Sequence, residues 1–192
     1  MSVGDKFKVV ALGTFDPVEF PWWGVIAAIG QASNGDPAFG QGWGAYAKRY
    51  GTTAADSMVE NFMVGAVFPS VLRQDPRFYE SGQGSFWRRS GYAMSRMVIT
   101  RGDTGHKQFN YSEICGAATA AAISTYSYHA RSAIVNGKFV GSERVPSNVL
   151  STWGTQLSLD TLTIFVKEFW PDMHRMISPK YRRESTAGAT KP

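Results

Sequence analysis

The sequence predicts a mainly α-helical fold, a bundle of about five to six helices with one short β-hairpin insertion. Three observations predict it: apolar residues recur at helical spacing, residues that cap helices precede them, and one Asn-Gly dipeptide stands between β-prone residues. At 192 residues with 43% apolar content, the chain is long enough for one domain with its own core. We expect a single domain over residues 1–178 and a disordered polar tail over 179–192.

The first half of the chain is predicted to hold three helices. A short one precedes Asp16, where Asp16-Pro17 is a typical helix start, and Asp36-Pro37 is another. The segment 20–32 is apolar on nearly all sides, which predicts a buried helix. A long helix follows over 44–72, and Pro69 is expected to kink it.

The second half is predicted from cap residues and from one turn. Ser85 can start a helix that ends near Arg101, Asn110 with Glu113 forms a capping box for a helix to about His129, and Ser147 can start a last helix through Ile177 that Pro171 interrupts. Between the last two, Asn136-Gly137 predicts a hairpin, which we place at residues 134–146.

Two features indicate contact with a membrane or with another copy of the chain. Gly116, Ala120 and Ser124 are small residues four apart, the spacing at which helices approach closely in membrane bundles, within one fold or between subunits. Trp22 and Trp23 open a charge-free segment, as indoles at a membrane boundary do. No segment has the unbroken apolar length of a spanning helix. We therefore expect these residues to form a membrane or partner interface.

A second candidate site is basic. The net charge is +5, and arginines concentrate between residues 73 and 107. Gly82 and Gly84 precede Ser85, so the start of that helix could bind an anion, with Arg88 and Arg89 close by. A solvated basic face is the alternative, and no nucleic acid is expected.

The sequence lacks the spacing of known catalytic and metal sites. Neither Glu113 nor Glu168 has a histidine three residues later, as a di-metal helical bundle would require, and no nucleophile elbow surrounds Ser85. We therefore predict no metal, no cofactor and no catalytic residue, although an enzyme of unrecognised chemistry stays open. Cys115 stands alone among small apolar residues and is predicted to be buried.

Four motifs resemble those of an uncharacterised family of small bacterial proteins, and the similarity extends over residues 6–172. They are Gly40-Gln41-Gly42-Trp43, Gln74-Asp75-Pro76-Arg77-Phe78-Tyr79, Tyr92-Ala93-Met94-Ser95-Arg96 and Glu168-Phe169-Trp170-Pro171-Asp172. Many members of the family carry export signals. The resemblance therefore implies a location in the cell envelope, in the periplasm or at the outer membrane.

These observations favour a non-enzymatic helical protein of the cell envelope, self-associating or membrane-apposed, with a structural or assembly role. Its expected partners are further copies of the chain and membrane lipids. One alternative is a soluble helical bundle that binds an anionic small molecule or lipid, and a second is an enzyme of unrecognised chemistry.

Overall fold

The computed structural model describes residues 1–35, 37–128, 133–135, 138–141 and 144–177. It confirms the predicted fold class, because most of the described chain is helical. The helices are α1 (Val3–Thr14), α2 (Glu19–Ser33), α3 (Trp43–Phe62), α4 (Phe68–Leu72), α5 (Phe86–Val98), α6 (Tyr111–Ser127) and α7 (Pro146–Ile177). The strands are β1 (Gln74–Asp75), β2 (Ile99–Gly102), β3 (Lys107–Phe109), β4 (Ala133–Val135) and β5 (Lys138–Gly141).

The longer helices pack side by side in an order that differs from their order in the chain. Helix α2 packs on α3, α3 on α6, α6 on α7, and α7 on α5. Helix α1 lies against the end of α3 and the segment that joins it to α4. Consequently α2 and α5 are separated by three helices, and α6 occupies the centre.

The long helix predicted over 44–72 is interrupted before Pro69. Residues Met63–Val67 form a π-helical turn between α3 and α4. Pro69 has no N–H to donate, and its ring would clash with the carbonyl group four residues earlier, at Gly65. A π turn lets the chain continue in helical form without that hydrogen bond, and such turns are frequent at functional positions. The predicted kink is therefore present as a change of helix type.

The π turn packs unusually closely against the helices on either side. A Cβ atom at Gly116 of α6 would lie 3.0 Å from the Cα atom of Val64, and one at Gly65 would collide with the side chain of Val10 in α1. The residues around this contact are small and fully buried: Ala66, Ala117, Ala120 and Ala121. Backbones can approach this closely only where side chains are absent or small.

A three-stranded antiparallel sheet was not predicted. Its order is β1-β2-β3, with Gln74 opposite Gly102 and Ile99 opposite Phe109. Buried Gln74 ties it to α6: its Nε2 donates to the carbonyl oxygen of Phe109 at 2.7 Å, and its Oε1 accepts from the N–H of Ser112 at 2.9 Å. The strands have two to four residues each, too few for a periodic pattern.

The predicted hairpin insertion is present as the antiparallel pair β4 and β5. Its turn at Asn136-Gly137, the cap expected at Asp36 and the predicted end of a helix at His129 lie outside the described residues. The tail predicted over 179–192 lies outside them as well.

Some predicted helix ends were displaced. The Oδ1 atom of Asp16 accepts from the N–H of Val18, and α2 begins only at Glu19. Asn110 caps α6 as predicted, by accepting from the N–H of Glu113. Helix α7 begins at Pro146 and continues through Pro171, so the interruption predicted there was wrong.

The contact at Gly116 predicts a measurable difference between two glycines. Gly116→Ala should lower the free energy of unfolding by about 1–3 kcal/mol, because the new methyl group meets backbone that cannot move aside. Chemical denaturation measures it.

Gly154→Ala is the matched control. Gly154 also lies inside a helix, and nothing lies within 4 Å of a Cβ atom there. This variant should be as stable as the parent or slightly more stable, since alanine favours helix. Equal stability of the two variants would mean that α6 and the π turn do not touch as described.

Candidate functional site

The segment that resembled an anion site is already filled by a carboxylate of the chain itself. The carboxylate of Glu168 in α7 is fully buried and accepts from the backbone N–H groups of Ser81 at 2.9 Å and Gly82 at 3.1 Å. The Nε atom of Arg89 donates to the same carboxylate at 2.8 Å. Arg89 also donates to Asp172 and to the carbonyl oxygen of Glu168.

The prediction of an anion-binding site at Ser85, Arg88 and Arg89 is corrected accordingly. Arg89 is buried, and its guanidinium group is used by the chain. Ser85 precedes α5 but makes no capping hydrogen bond with its side chain. Arg88 is exposed, and its stem lies beside Gly84. The glycine-rich loop does bind an anion as the pattern suggested, but that anion is Glu168.

The two predicted interface tryptophans separate. Trp23 is 1% exposed and packs edge-on against Phe20 and Tyr50, whereas Trp22 is 43% exposed. Neighbouring residues on a helix point about 100° apart, so one of the two faces α3 and the other faces outward. Only Trp22 is therefore placed to contact a membrane or a partner.

The small residues predicted as an interface in α6 are buried inside the chain. Gly116 faces the π turn, Ala120 is covered, and the hydroxyl of Ser124 donates to Asp56 of α3. These three residues could pack closely within one fold or between subunits, and in the structure they pack within the fold. Cys115, on the opposite side of α6, is exposed rather than buried.

Large apolar side chains lie on the outer face of α2. Val18, Trp22, Val25 and Ile29 are all exposed, and their spacing of four, three and four residues puts them on one side of the helix. From Phe20 to Ser33 the helix carries no charged residue. Its other side packs on α3 through Trp23 and Ala27.

Helices α5 and α7 have similar outer faces. Exposed apolar side chains recur on each at intervals of three, four or seven residues: Trp87, Met94 and Val98 on α5, and Leu162, Val166, Trp170 and Met173 on α7. These two helices are held together on their inner sides by the ion pair of Arg89 and Glu168. Phe86 supports the same contact by packing on Phe165 and Phe169.

Several charged and polar side chains are buried in the interior, where large apolar side chains are usually found. Lys6 of α1 is 1% exposed and donates to the carbonyl oxygen of Pro69 at 2.9 Å and to Asp103 at 2.7 Å. Arg49 of α3 is equally buried and donates to the carbonyl oxygen of Gly40. The buried apolar residues are mostly alanines. A protein in water usually has the reverse arrangement, with large apolar side chains inside and charged side chains outside.

A cavity of about 310 Å³ lies where α1, α3, α6 and α7 meet. We call it the carboxyl cavity, because Glu60 of α3, Glu113 of α6 and Asp160 of α7 line it together. Exposed Val9, Gly13 and Lys167 belong to its lining, so it is open to the surface.

The three carboxyl groups perturb one another. Burial, followed by the charges of Asp160, Glu113 and Asp56, raises the pKa of Glu60 to about 9. Burial and Asp160, by its charge and by a hydrogen bond, raise the pKa of Glu113 to about 9. Burial also raises the pKa of Asp160, although a hydrogen bond with Glu113 and the charge of Lys167 act against it. Glu60 and Glu113 therefore carry protons at neutral pH.

Sequence reasoning missed this cluster for identifiable reasons. Glu60 follows Asp56 by four residues, a spacing typical of a solvent-facing side of a helix. Glu113 belongs to the predicted capping box, in which the side chain of Asn110 does accept from the N–H of Glu113. The available signal was the isolation of each carboxylate within an apolar stretch of helix. A carboxylate in such a stretch either reaches solvent or is buried with its helix. The local sequence does not show which other helices pack around it.

Comparisons of the chain with protein-family models, with curated proteins and with solved structures find no match. Within the described residues, no group of three His, Cys, Asp or Glu side chains is arranged to hold a metal ion. No helix in the described part of the chain combines the length and the apolar character needed to cross a membrane.

The same substitution at Arg89 and at neighbouring Arg88 should change the stability of the protein to very different extents. Arg89→Gln should lower the free energy of unfolding by about 3 kcal/mol, because it removes the cation from a buried carboxylate. We expect the lower end of the usual range, since Ser81 and Gly82 still donate to Glu168. Thermal and urea unfolding measure the effect.

Arg88→Gln makes the same chemical change one position earlier, on an exposed side chain, and should leave stability within a few tenths of a kcal/mol. A stable Arg89→Gln variant would contradict the internal role assigned to Arg89.

Proposed function

We propose that this chain is a membrane-apposed helical protein of the cell envelope with a structural or assembly role. The outer faces of α2, α5 and α7 contact lipid in this proposal. The observation that carries it is the reversed distribution of side chains, with ion pairs and small residues inside and large apolar residues outside.

This distribution fits an apolar medium better than water. In water, large apolar side chains stabilise a fold by leaving the solvent, and buried charges cost free energy. Against lipid, the outward faces gain nothing from burial, and helices associate through close backbone contact and internal polar bonds. The contact of Val64 with Gly116 and the bonds made by Lys6 and Glu168 are of these two kinds.

Helix α2 supports the proposal most directly. From Phe20 to Ser33 it is free of charge over about 21 Å, the length of 14 helical residues. Trp22 stands near the start of this segment, where an indole can bury its ring and keep its N–H near head groups. The resemblance to a family with export signals agrees with an envelope location.

Self-association is the second candidate, and the spacing on α2 favours it. Val18, Trp22, Val25 and Ile29 follow the alternation of four and three residues that helix pairs use. A second copy could cover this face and leave those of α5 and α7 exposed. The alternative of a soluble anion binder has less support at Ser85, Arg88 and Arg89, because Glu168 already accepts hydrogen bonds from Arg89 and from the glycine-rich loop.

Vesicle binding tests the proposal. Val25→Glu puts a charge in the middle of the outer face of α2, without touching the face that packs on α3. It should weaken co-sedimentation with phosphatidylcholine vesicles about tenfold, which corresponds to about 1.4 kcal/mol. Uncharged vesicles are chosen so that the new charge acts through burial and not through repulsion.

Ala47→Glu is the control, because it adds the same charge at an exposed position of α3. It should bind vesicles like the parent. Equal binding by both variants, or no binding by the parent, contradicts the proposal. If sedimentation without lipid then gives a dimer that Val25→Glu dissociates, self-association is the correct function for this face.

A further inference from the structure

The carboxyl cavity concentrates buried polar atoms that lack hydrogen-bond partners. Among its lining residues, such atoms belong to Thr14, Glu60 and Arg96, whereas Glu113 and Asp160 share a hydrogen bond with each other. A buried polar group without a partner costs about 1–3 kcal/mol, so most such groups in folded proteins have one. Three such groups around one cavity indicate that its occupant supplies hydrogen bonds.

Two of the three are independent of the acidic cluster. Thr14 is 1% exposed and Arg96 is 7% exposed, and neither is explained by carboxyl groups that share protons. The hydroxyl of Thr14 can donate or accept, whereas the Nε atom of Arg96 can only donate. The occupant must therefore offer an acceptor as well as donors.

At the acidic end, the complementary group is a cation with several N–H donors. Within the described residues, no ion pair involves Glu60, Glu113 or Asp160. An ammonium group carries three donors and one positive charge, which can be shared among three carboxyl groups. A metal ion is a poorer candidate, because its ligands must lie closer together than the acceptors of an ammonium group, and no three of the described side chains are arranged to hold one.

Arg96 lines the cavity from α5, whereas the three acids come from α3, α6 and α7. It forms no ion pair within the described part of the chain and lies near the ring of Tyr92. An anionic oxygen on the occupant would supply the acceptor that Arg96 lacks.

We propose that the carboxyl cavity binds a small ω-amino acid, with its ammonium group at Glu60, Glu113 and Asp160 and its carboxylate at Arg96. The volume of about 310 Å³ lies at the lower end for ligand pockets and suits a molecule of this size. This site is independent of contact with lipid, because none of the exposed apolar residues on the outer faces of α2, α5 and α7 lines it.

Binding should release protons. Glu60 and Glu113 are protonated at neutral pH, and an ammonium group favours their ionised forms. Affinity should therefore rise as the pH increases from about 6 to about 8, below the pKa of about 9 for these groups. The other charged groups facing the cavity are Glu19, Arg77 and Lys167, with Asp56 one turn from Glu60.

Isothermal titration calorimetry with three matched series tests the site. The probes are ω-amino acids from glycine to 6-aminohexanoate, the diamines of the same lengths, and the corresponding monocarboxylates. At least one ω-amino acid should bind more tightly than its diamine, and the monocarboxylates should not bind. Titrations in buffers of different ionisation enthalpy should reveal proton release.

Substitutions assign the two ends. Glu113→Gln and Glu60→Gln should each weaken binding at least tenfold and reduce proton release, whereas Glu80→Gln, at an exposed position, should do neither. Arg96→Gln should remove the preference for the amino acid over the diamine, and Arg96→Lys should restore part of it. Thermal unfolding checks that each variant is folded.

Absence of binding by every amine, or unchanged binding in both Glu→Gln variants, overturns the proposal and leaves a cavity that holds water only. If diamines bind best and Arg96→Gln has no effect, the assignment of the carboxylate end is wrong. None of these results bears on vesicle binding, so failure here is distinguishable from failure of the proposed function.

Discussion

The close approach of the π turn to α6 determines much of this structure. Val64 can lie directly on Gly116 only because neither the glycine nor the alanines around it carry bulk. A centre built from alanine and glycine has little room for large side chains. Large apolar side chains are therefore mostly exposed or half-buried, and the same constraint produces the distribution on which the proposed function depends.

Buried polar contacts supply the positioning that large core side chains usually supply. Glu168 joins α7, Arg89 of α5 and the loop at Ser81 in one set of bonds. Lys6 joins α1 to α4 and to the turn after β2. Such contacts contribute little net free energy against a well-packed apolar alternative, but removing one partner is costly. They therefore specify the arrangement of helices more than they stabilise it.

The sequence was informative where the pattern is local. The cap at Asn110, the hairpin and the disturbance near Pro69 follow from residues close together in the chain. Which charges are buried does not follow, because burial depends on helix neighbours that are far apart in sequence. Arg89 and Glu168 are separated by 79 positions. The sequence around Arg89 therefore does not show whether its side chain is solvated or paired with a distant carboxylate. The carboxyl cavity escaped prediction for the same reason, since its acids come from three helices.

The central claim is that the outward apolar faces meet lipid while the interior does not. Trp22 and Trp23 test it most directly, because they are adjacent in sequence and opposite in exposure. In variants that retain one of the two as their only tryptophan, fluorescence is measured with brominated lipid vesicles and with aqueous iodide. The account predicts that brominated lipid quenches Trp22 and that vesicles shield it from iodide, whereas Trp23 responds to neither. Ready quenching of Trp22 by iodide in the presence of vesicles, with none by brominated lipid, would contradict the claim.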